Sequence, residues 1–243
     1  MAHTSVLNIQ ELLEEILHFL AIDKSLYPAL FVCRHWYRCG APILWRRVEL
    51  KKSNTRKIFM KIIYGEQKPV YCLNVTYLEI SNYYRLSDKE FEGIADLFPN
   101  IVHLNLYDSV GFSDKTLNRI AESYPNLKYL NLGGNGDGLI TDKGLYVVTN
   151  SCHKLEYLSI SSRKEFSEIA IWNVIHSCKW IQQLDVYGCK ITYKTIEEIG
   201  LYFKLKYLNL GTATRYLEKI GQGQIVLGKD RLDVVSIPAS PEH

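Results

Sequence analysis

Six short segments of this 243-residue chain read alike. They are "VTYLEIS" from Val75, "IVHLNLY" from Ile101, "LKYLNLG" from Leu127, "LEYLSIS" from Leu155, "IQQLDVY" from Ile181 and "LKYLNLG" from Leu205. Successive starts lie 26, 26, 28, 26 and 24 residues apart. A unit of that size cannot enclose a core alone, so a chain built this way must stack its units side by side.

Each segment alternates apolar and polar residues, which predicts a short, half-buried strand. After most strands comes a helix-start signal: Ser87-Asp88-Lys89-Glu90, Ser113-Asp114, Thr141-Asp142 and Ser167-Glu168. The hydroxyl can accept from free backbone N–H groups, and the acid suits the positive helix end. Ser87 and Glu90 have the spacing of a capping box. Apolar residues then recur at helical spacing, as in Phe91, Ile94 and Ala95, or Ile171, Val174 and Ile175. Each unit therefore reads strand, turn, helix.

The pattern resembles the leucine-rich repeat, and more narrowly the roughly 26-residue, cysteine-containing subclass found behind F-box domains. The resemblance covers residues 74–213, about six units. It implies an α/β fold: a right-handed solenoid with parallel strands on the concave face and helices on the convex face. The family's Asn/Cys column reads Tyr83, Ser109, Asn135, Arg163, Cys189 and Ala213, so only Asn135 and Cys189 match it. The last unit lacks a clear helix after "TATRYLEKIGQGQ", and residues 214–243 are expected to form a cap or tail.

On strands of this kind the residues between the apolar ones project together. The first such row reads Tyr77, His103, Tyr129, Tyr157, Gln183, Tyr207. The second is Glu79, Asn105, Asn131, Ser159, Asp185, Asn209, and a third includes Tyr107 and Tyr187. Tyrosine is enriched at protein interfaces. Tyr77, Glu79, His103, Asn105, Tyr107, Tyr129, Asn131, Tyr157, Ser159, Asp185, Tyr187 and Tyr207 are therefore the expected client-binding residues. Six strands at about 4.8 Å span ~24 Å.

Ahead of the repeats, Leu12, Leu13, Ile16, Leu17 and Leu20 predict one amphipathic helix. Leu26, Leu30, Cys33 and Tyr37 predict a second, continuous through "FVCRHWYRCGAPILW", which places Cys33 in the packed stripe. On it Cys33 and His35 would lie about 200° apart, so their Cys-x-His pattern cannot share an ion. With Ile43, Leu44 and Trp45 added, this segment has more apolar surface than about 45 residues can hide. Part can pack on the first repeat, and the rest implies a partner.

The segment is similar to the F-box, a three-helix module that docks on the Skp-type adaptor of a cullin–RING ubiquitin ligase. The matching residues are Glu11-Leu12-Leu13, Ile16, Leu20, then Val32-Cys33-Arg34-x-Trp36, then Leu44-Trp45. The family usually opens on Leu-Pro, where this chain has Asn8-Ile9. The resemblance implies an F-box over residues 1–50, a connecting segment over 51–73, and adaptor contacts from Ile9, Leu12, Leu13, Ile16, Leu17, Leu20, Leu30, Val32, Trp36 and Trp45. It also implies a substrate-recruiting subunit of an SCF-type ligase, with an unknown client protein on the repeats. The rival reading is an interaction scaffold outside the ubiquitin system.

Other motifs point away from chemistry. "GGNGDG" at 133–138 lacks the Lys and frame of a phosphate loop; a turn lengthened by two residues explains it and the one 28-residue interval. No nucleophile elbow or HExxH is present, so neither an enzyme nor a cofactor is expected. Cys152-His153 and His176-x-Cys178 imitate a zinc set, but both cysteines share a repeat column with Phe98 and Tyr124 and read as core thiols; no metal is expected. A net charge of +3 is too small to imply a nucleic-acid partner. "RRVELKKSNTRKIFMK", residues 46–61, holds seven basic residues and one acid; it is open to reading as an anion-binding face or as a solvated amphipathic segment, the simpler of the two. No apolar run approaches the ~18 residues of a membrane span, and the N-terminus does not read as a secretion signal. A reducing cytoplasm and/or nucleus is the expected setting, with the six cysteines as thiols.

Overall fold

A computed structural model describes residues 10–50, 53–66, 68–136, 138–202 and 205–210. The expected adaptor contact Ile9 and the expected C-terminal cap over residues 214–243 lie outside them.

The chain opens with three helices: α1 (Gln10–Ile22), α2 (Leu26–Ala29) and α3 (Arg34–Leu44). Their buried residues Leu13, Leu17, Leu26, Leu30, Cys39 and Ile43 form a core of their own, against which Leu20, Ala29, Trp36 and Leu44 pack. The expected continuous second helix is corrected here. Cys33 is extended (φ −163°) and caps α3 instead of continuing α2, and it is exposed while Cys39 is buried. A straight helix would carry Ile43 about 25 Å from Leu26; the break folds both into one core.

Behind the head, strands and helices alternate: β1 (Arg47–Glu49), α4 (Ser53–Ile63), β2 (Tyr77–Glu79), α5 (Asp88–Leu97), β3 (His103–Asn105), α6 (Asp114–Ser123), β4 (Tyr129–Asn131) and α7 (Asp142–Ser151). They continue with β5 (Tyr157–Ser159), α8 (Glu168–Ser177), β6 (Gln183–Asp185), α9 (Tyr193–Tyr202) and β7 (Tyr207–Asn209). The seven strands form one parallel sheet in chain order. Val48, Leu78, Leu104, Leu130, Leu158, Leu184 and Leu208 stand in register. The six leucines are buried, and a second core runs unbroken from Leu50 to Leu210. Strands sit about 4.8 Å apart and packed helices 8–10 Å apart, so the strand side is the inner side of any curve.

The stack begins earlier than the repeats predict. Arg47–Glu49 pairs with β2, and α4 packs on the next unit through Phe59, whose ring lies parallel to Phe98 at 5.7 Å. Helix α4, within the expected connector over 51–73, therefore belongs to a seventh unit, and the stack starts inside the expected 1–50 module. Seven strands span about 29 Å.

Two ladders tie unit to unit. Asp88 accepts from the Ser113 N–H (2.8 Å), the Ser113 hydroxyl (2.7 Å) and the Thr116 hydroxyl (2.7 Å). Asp114 repeats this on Thr141 (2.7 and 2.6 Å), Asp142 on Ser167, and Glu168 on Thr192 and Thr195. Each acid at a helix start thus holds the next helix's cap as well as facing its own helix end.

The second ladder is the turn column. The Ser109 hydroxyl donates to the Ile80 carbonyl at 2.7 Å, and the Cys189 thiol to the Ile160 carbonyl at 3.3 Å. Asn135, which matches the column as Cys189 does, is exposed. Gly134 before it sits at φ +112°, where a Cβ would lie 2.5 Å from the Asp108 Cα, so the lengthened turn closes on glycine and swings Asn135 outward. Arg163 takes over from the next unit, donating to the Leu132 and Ser109 carbonyls while only 1% exposed.

Candidate protein-interaction surfaces

Helix α1 carries apolar residues at i, i+1, i+4 and i+5, enough to cover two faces. Leu13 and Leu17 turn inward and are fully buried. Leu12 (44% exposed), Ile16 (36%), Phe19 (66%) and Ile22 (76%) turn outward along one stripe. After α2 the chain adds Tyr27, Phe31 and Val32, all exposed, with the Tyr27 and Phe31 rings edge-on at 5.3 Å. Trp45 is exposed, while Leu20 and Trp36 are half-buried against the head's core.

The expected adaptor set thus divides. Leu12, Ile16, Val32 and Trp45 are accessible; Leu13, Leu17 and Leu30 are not, because they build the module that displays the others. Phe19, Ile22, Tyr27 and Phe31 are exposed on the same module and stood outside the expected set, although Phe19 follows Leu12 and Ile16 at helical spacing. Covering each large side chain of this stripe is worth roughly 1.5–3 kcal/mol.

On the inner sheet face the first row is a stack of rings. Tyr77, His103, Tyr129 and Tyr157 lie nearly parallel, with centroids 3.9, 3.6 and 4.0 Å apart. The Arg47 guanidinium closes the β1 end 3.6 Å from the Tyr77 ring centre. The ring faces are spent on one another, so this row offers edges and hydroxyls. Burial, and then the Arg47 charge, push the His103 imidazole down to about 4. Burial lifts the Tyr77 phenol to about 12 against the pull of Arg47.

The second row holds the strand ends. Asn105, Asn131 and Asp185 each accept, through a side-chain oxygen, the N–H two residues on, from Tyr107, Gly133 and Tyr187 at 3.0, 2.9 and 3.1 Å. The Ser159 hydroxyl donates to Asp185 at 3.1 Å, and Glu79 accepts from Tyr77 and Ser81. Burial raises the Asp185 carboxyl despite these bonds. Glu79, Asn131 and Ser159 are buried, which corrects their expected place as client contacts: their polar atoms support the sheet. Asn105, Asp185 and Tyr207 remain half-buried. Tyr107 and Tyr187 are the most open rings of the expected client set, at 45% and 46%, and stand on either side of the recessed Gly133 and Ser161.

Cys152 and Cys178 are buried, and their thiols donate to the Tyr124 and Thr149 carbonyls. Burial pushes both thiols up to about 12. Among the described residues no three His, Cys, Asp or Glu side chains gather as a metal site, and no described helix is long and apolar enough to cross a membrane.

Residues 10–51 match the family model described as F-box-like. No curated protein matches the sequence. Among solved structures the chain is similar to the tropomodulin C-terminal domain of Caenorhabditis elegans, at 10% identity and a TM-score of 0.42, over 68% of this chain and 98% of that one. It is also similar to the yeast Rad7 and Elc1 complex structure, at 13% identity and a TM-score of 0.47, over 83% of this chain and 46% of that one. The chain thus spans less than half the length of the yeast chain it matches.

Proposed function

From a chain that carries an F-box-like domain at residues 10–51, followed by a parallel-strand repeat solenoid, we propose a substrate-recruiting subunit of an SCF-type ubiquitin ligase. The head holds a Skp-type adaptor and, through it, the cullin–RING machinery; the inner face of the solenoid holds a client protein. The observation that carries this reading is the outward stripe Leu12, Ile16, Phe19 and Ile22 on a module whose own core is already closed by Leu13, Leu17 and Ile43. A soluble domain keeps such a stripe when a partner covers it.

On this reading the chain does no chemistry and needs no cofactor or metal. It positions a client lysine near the ubiquitin thioester carried by another protein, which raises the effective concentration of the two reactants. The client meets Tyr107, Tyr187 and the rim of the ring stack. The setting is cytoplasm and/or nucleus, where the ligase works.

Affinity purification of the tagged full chain tests it. Co-recovery of adaptor and cullin, lost in Leu12→Asp, supports the ligase role. Recovery of other proteins with neither component supports a scaffold outside the ubiquitin system.

A further inference from the structure

The basic run at residues 46–61 lends Arg47 to the ring stack, and its remaining cations are used by neither surface described above. Its helix, α4, turns Phe59 into the solenoid core and leaves Lys57 and Lys61 exposed one turn apart. Arg56 on the same helix donates to the Leu50, Ser81 and Asn82 carbonyls at 2.8, 2.5 and 2.8 Å. Those bonds pin α4 to the end of β2. They also bring Lys57 and Lys61 beside Arg85 in the β2–α5 turn, around a cavity of about 580 Å³ walled by Tyr83, Tyr84 and Met60.

The charge in that cavity is unbalanced. Glu90 is its single lining acid; it accepts from the Ser87 N–H at 2.8 Å and hydroxyl at 3.0 Å in the capping box, and its one charge offsets at most one of Lys57, Lys61 and Arg85. Lys57, Lys61 and Arg85 have no ion-pair partner among the described residues. Clustered cations beside aromatic and thioether surface suit a short segment that brings both carboxylates and apolar stems.

We infer that this cavity is a binding site for an acidic peptide segment, with Lys57, Lys61 and Arg85 as its carboxylate-binding residues. It opens where β2 turns into α5, next to Ser81 and Tyr83, so a chain leaving the inner sheet face at the β2 end meets it. The inference deepens the client-receptor reading and rests on it: the client carries a run of Asp or Glu beside the part that meets the tyrosines. A nucleic acid is the poorer occupant. Along the same edge Asp88, Asp114 and Asp142 are each followed by an exposed lysine, Lys89, Lys115 and Lys143, so the cationic excess ends at the cavity and offers a long polyanion no track to follow.

The test is titration of the full chain with a fluorescent decapeptide of alternating Glu and Ala, beside its Gln counterpart and a single-stranded oligonucleotide. The expected result is binding by the Glu peptide at least tenfold tighter than by the Gln peptide. It should weaken at least tenfold in Lys57→Glu/Lys61→Glu, and independently in Arg85→Glu, at an unchanged melting temperature. Equal binding of the two peptides, no effect of either variant, or tighter binding of the oligonucleotide would overturn the inference. Adaptor binding by the same preparations separates the two readings. Lost peptide binding with adaptor binding intact overturns the acidic site alone, whereas peptide binding without adaptor binding sustains the site and removes the ligase role.

Discussion

Arg163 donates from Nη2 to the Ser109 carbonyl at 2.9 Å, across 54 residues of chain, while its Nε donates to the Leu132 carbonyl at 2.6 Å. One buried side chain therefore closes two turns, including the one from which Asn135 has been displaced. Arg163→Met leaves both carbonyls without these donors, at about 1–3 kcal/mol each, so an overall loss of roughly 2–6 kcal/mol is expected from urea unfolding. Arg163→Lys recovers little, because one ammonium cannot reproduce the fork. Asn135→Ala, at a residue that fits the repeat pattern, is expected within about 0.5 kcal/mol of the parent.

The acid ladder makes the solenoid sensitive to low pH. Burial alone would raise the Asp88 carboxyl, but the bonds from Ser113 and Thr116 outweigh it and hold the group below its usual value. The hydroxyls of Thr192 and Thr195 hold Glu168 down. A carboxylate with a depressed folded pKa stabilises above its unfolded value, near 4, and that stability is lost as pH falls further through the folded value. Asp88→Ala should lower the unfolding midpoint at pH 7 by roughly 1–3 kcal/mol, nearer the lower end because Asp88 is partly solvated. It should also flatten the decline measured below pH 4.

His103 acts in a different window. Its folded pKa near 4 lies below the ordinary value of 6.5, so the unfolded chain binds the proton first. Stability should then fall as pH drops from about 6.5 towards 4. His103→Tyr extends the tyrosine stack and removes the titrating group; its unfolding midpoint should decline less across that interval than the parent's.

Neighbouring residues of α1 should behave oppositely. Leu17→Ala removes buried volume from the head and should cost 2–5 kcal/mol, a typical penalty for such a core truncation. Phe19→Ser should leave the head's melting temperature unchanged and reduce self-association measured by light scattering, because it takes apolar surface away from solvent.

The stacked strands and helices were legible because their inward leucines must be buried at a constant period. The first strand was not: Arg47-Val48-Glu49-Leu50 alternates as Tyr77-Leu78-Glu79-Ile80 does, but it lies inside a basic run and 30 residues ahead of its partner, off the period of the other units. The turn column misled for a geometric reason, since the two extra residues around Gly134 move Asn135 outward and a long arginine substitutes from the following unit. On α1 the apolar residues cover two faces, and nothing in their spacing says which face α3 packs against; Leu12 and Leu13 differ only in that. The aromatic row was visible, but the mutual stacking that hides its ring faces was not, because register between units 26 residues apart sets it.

The most direct test of the bridging role is calorimetric titration of the purified full chain with a purified Skp-type adaptor. One-to-one binding is predicted, lost in Leu12→Asp and in Ile16→Asp while their melting temperatures match the parent's, and kept in Tyr107→Ala on the far surface. An adaptor that fails to bind the parent chain, or that binds Leu12→Asp and Ile16→Asp as tightly, would contradict it.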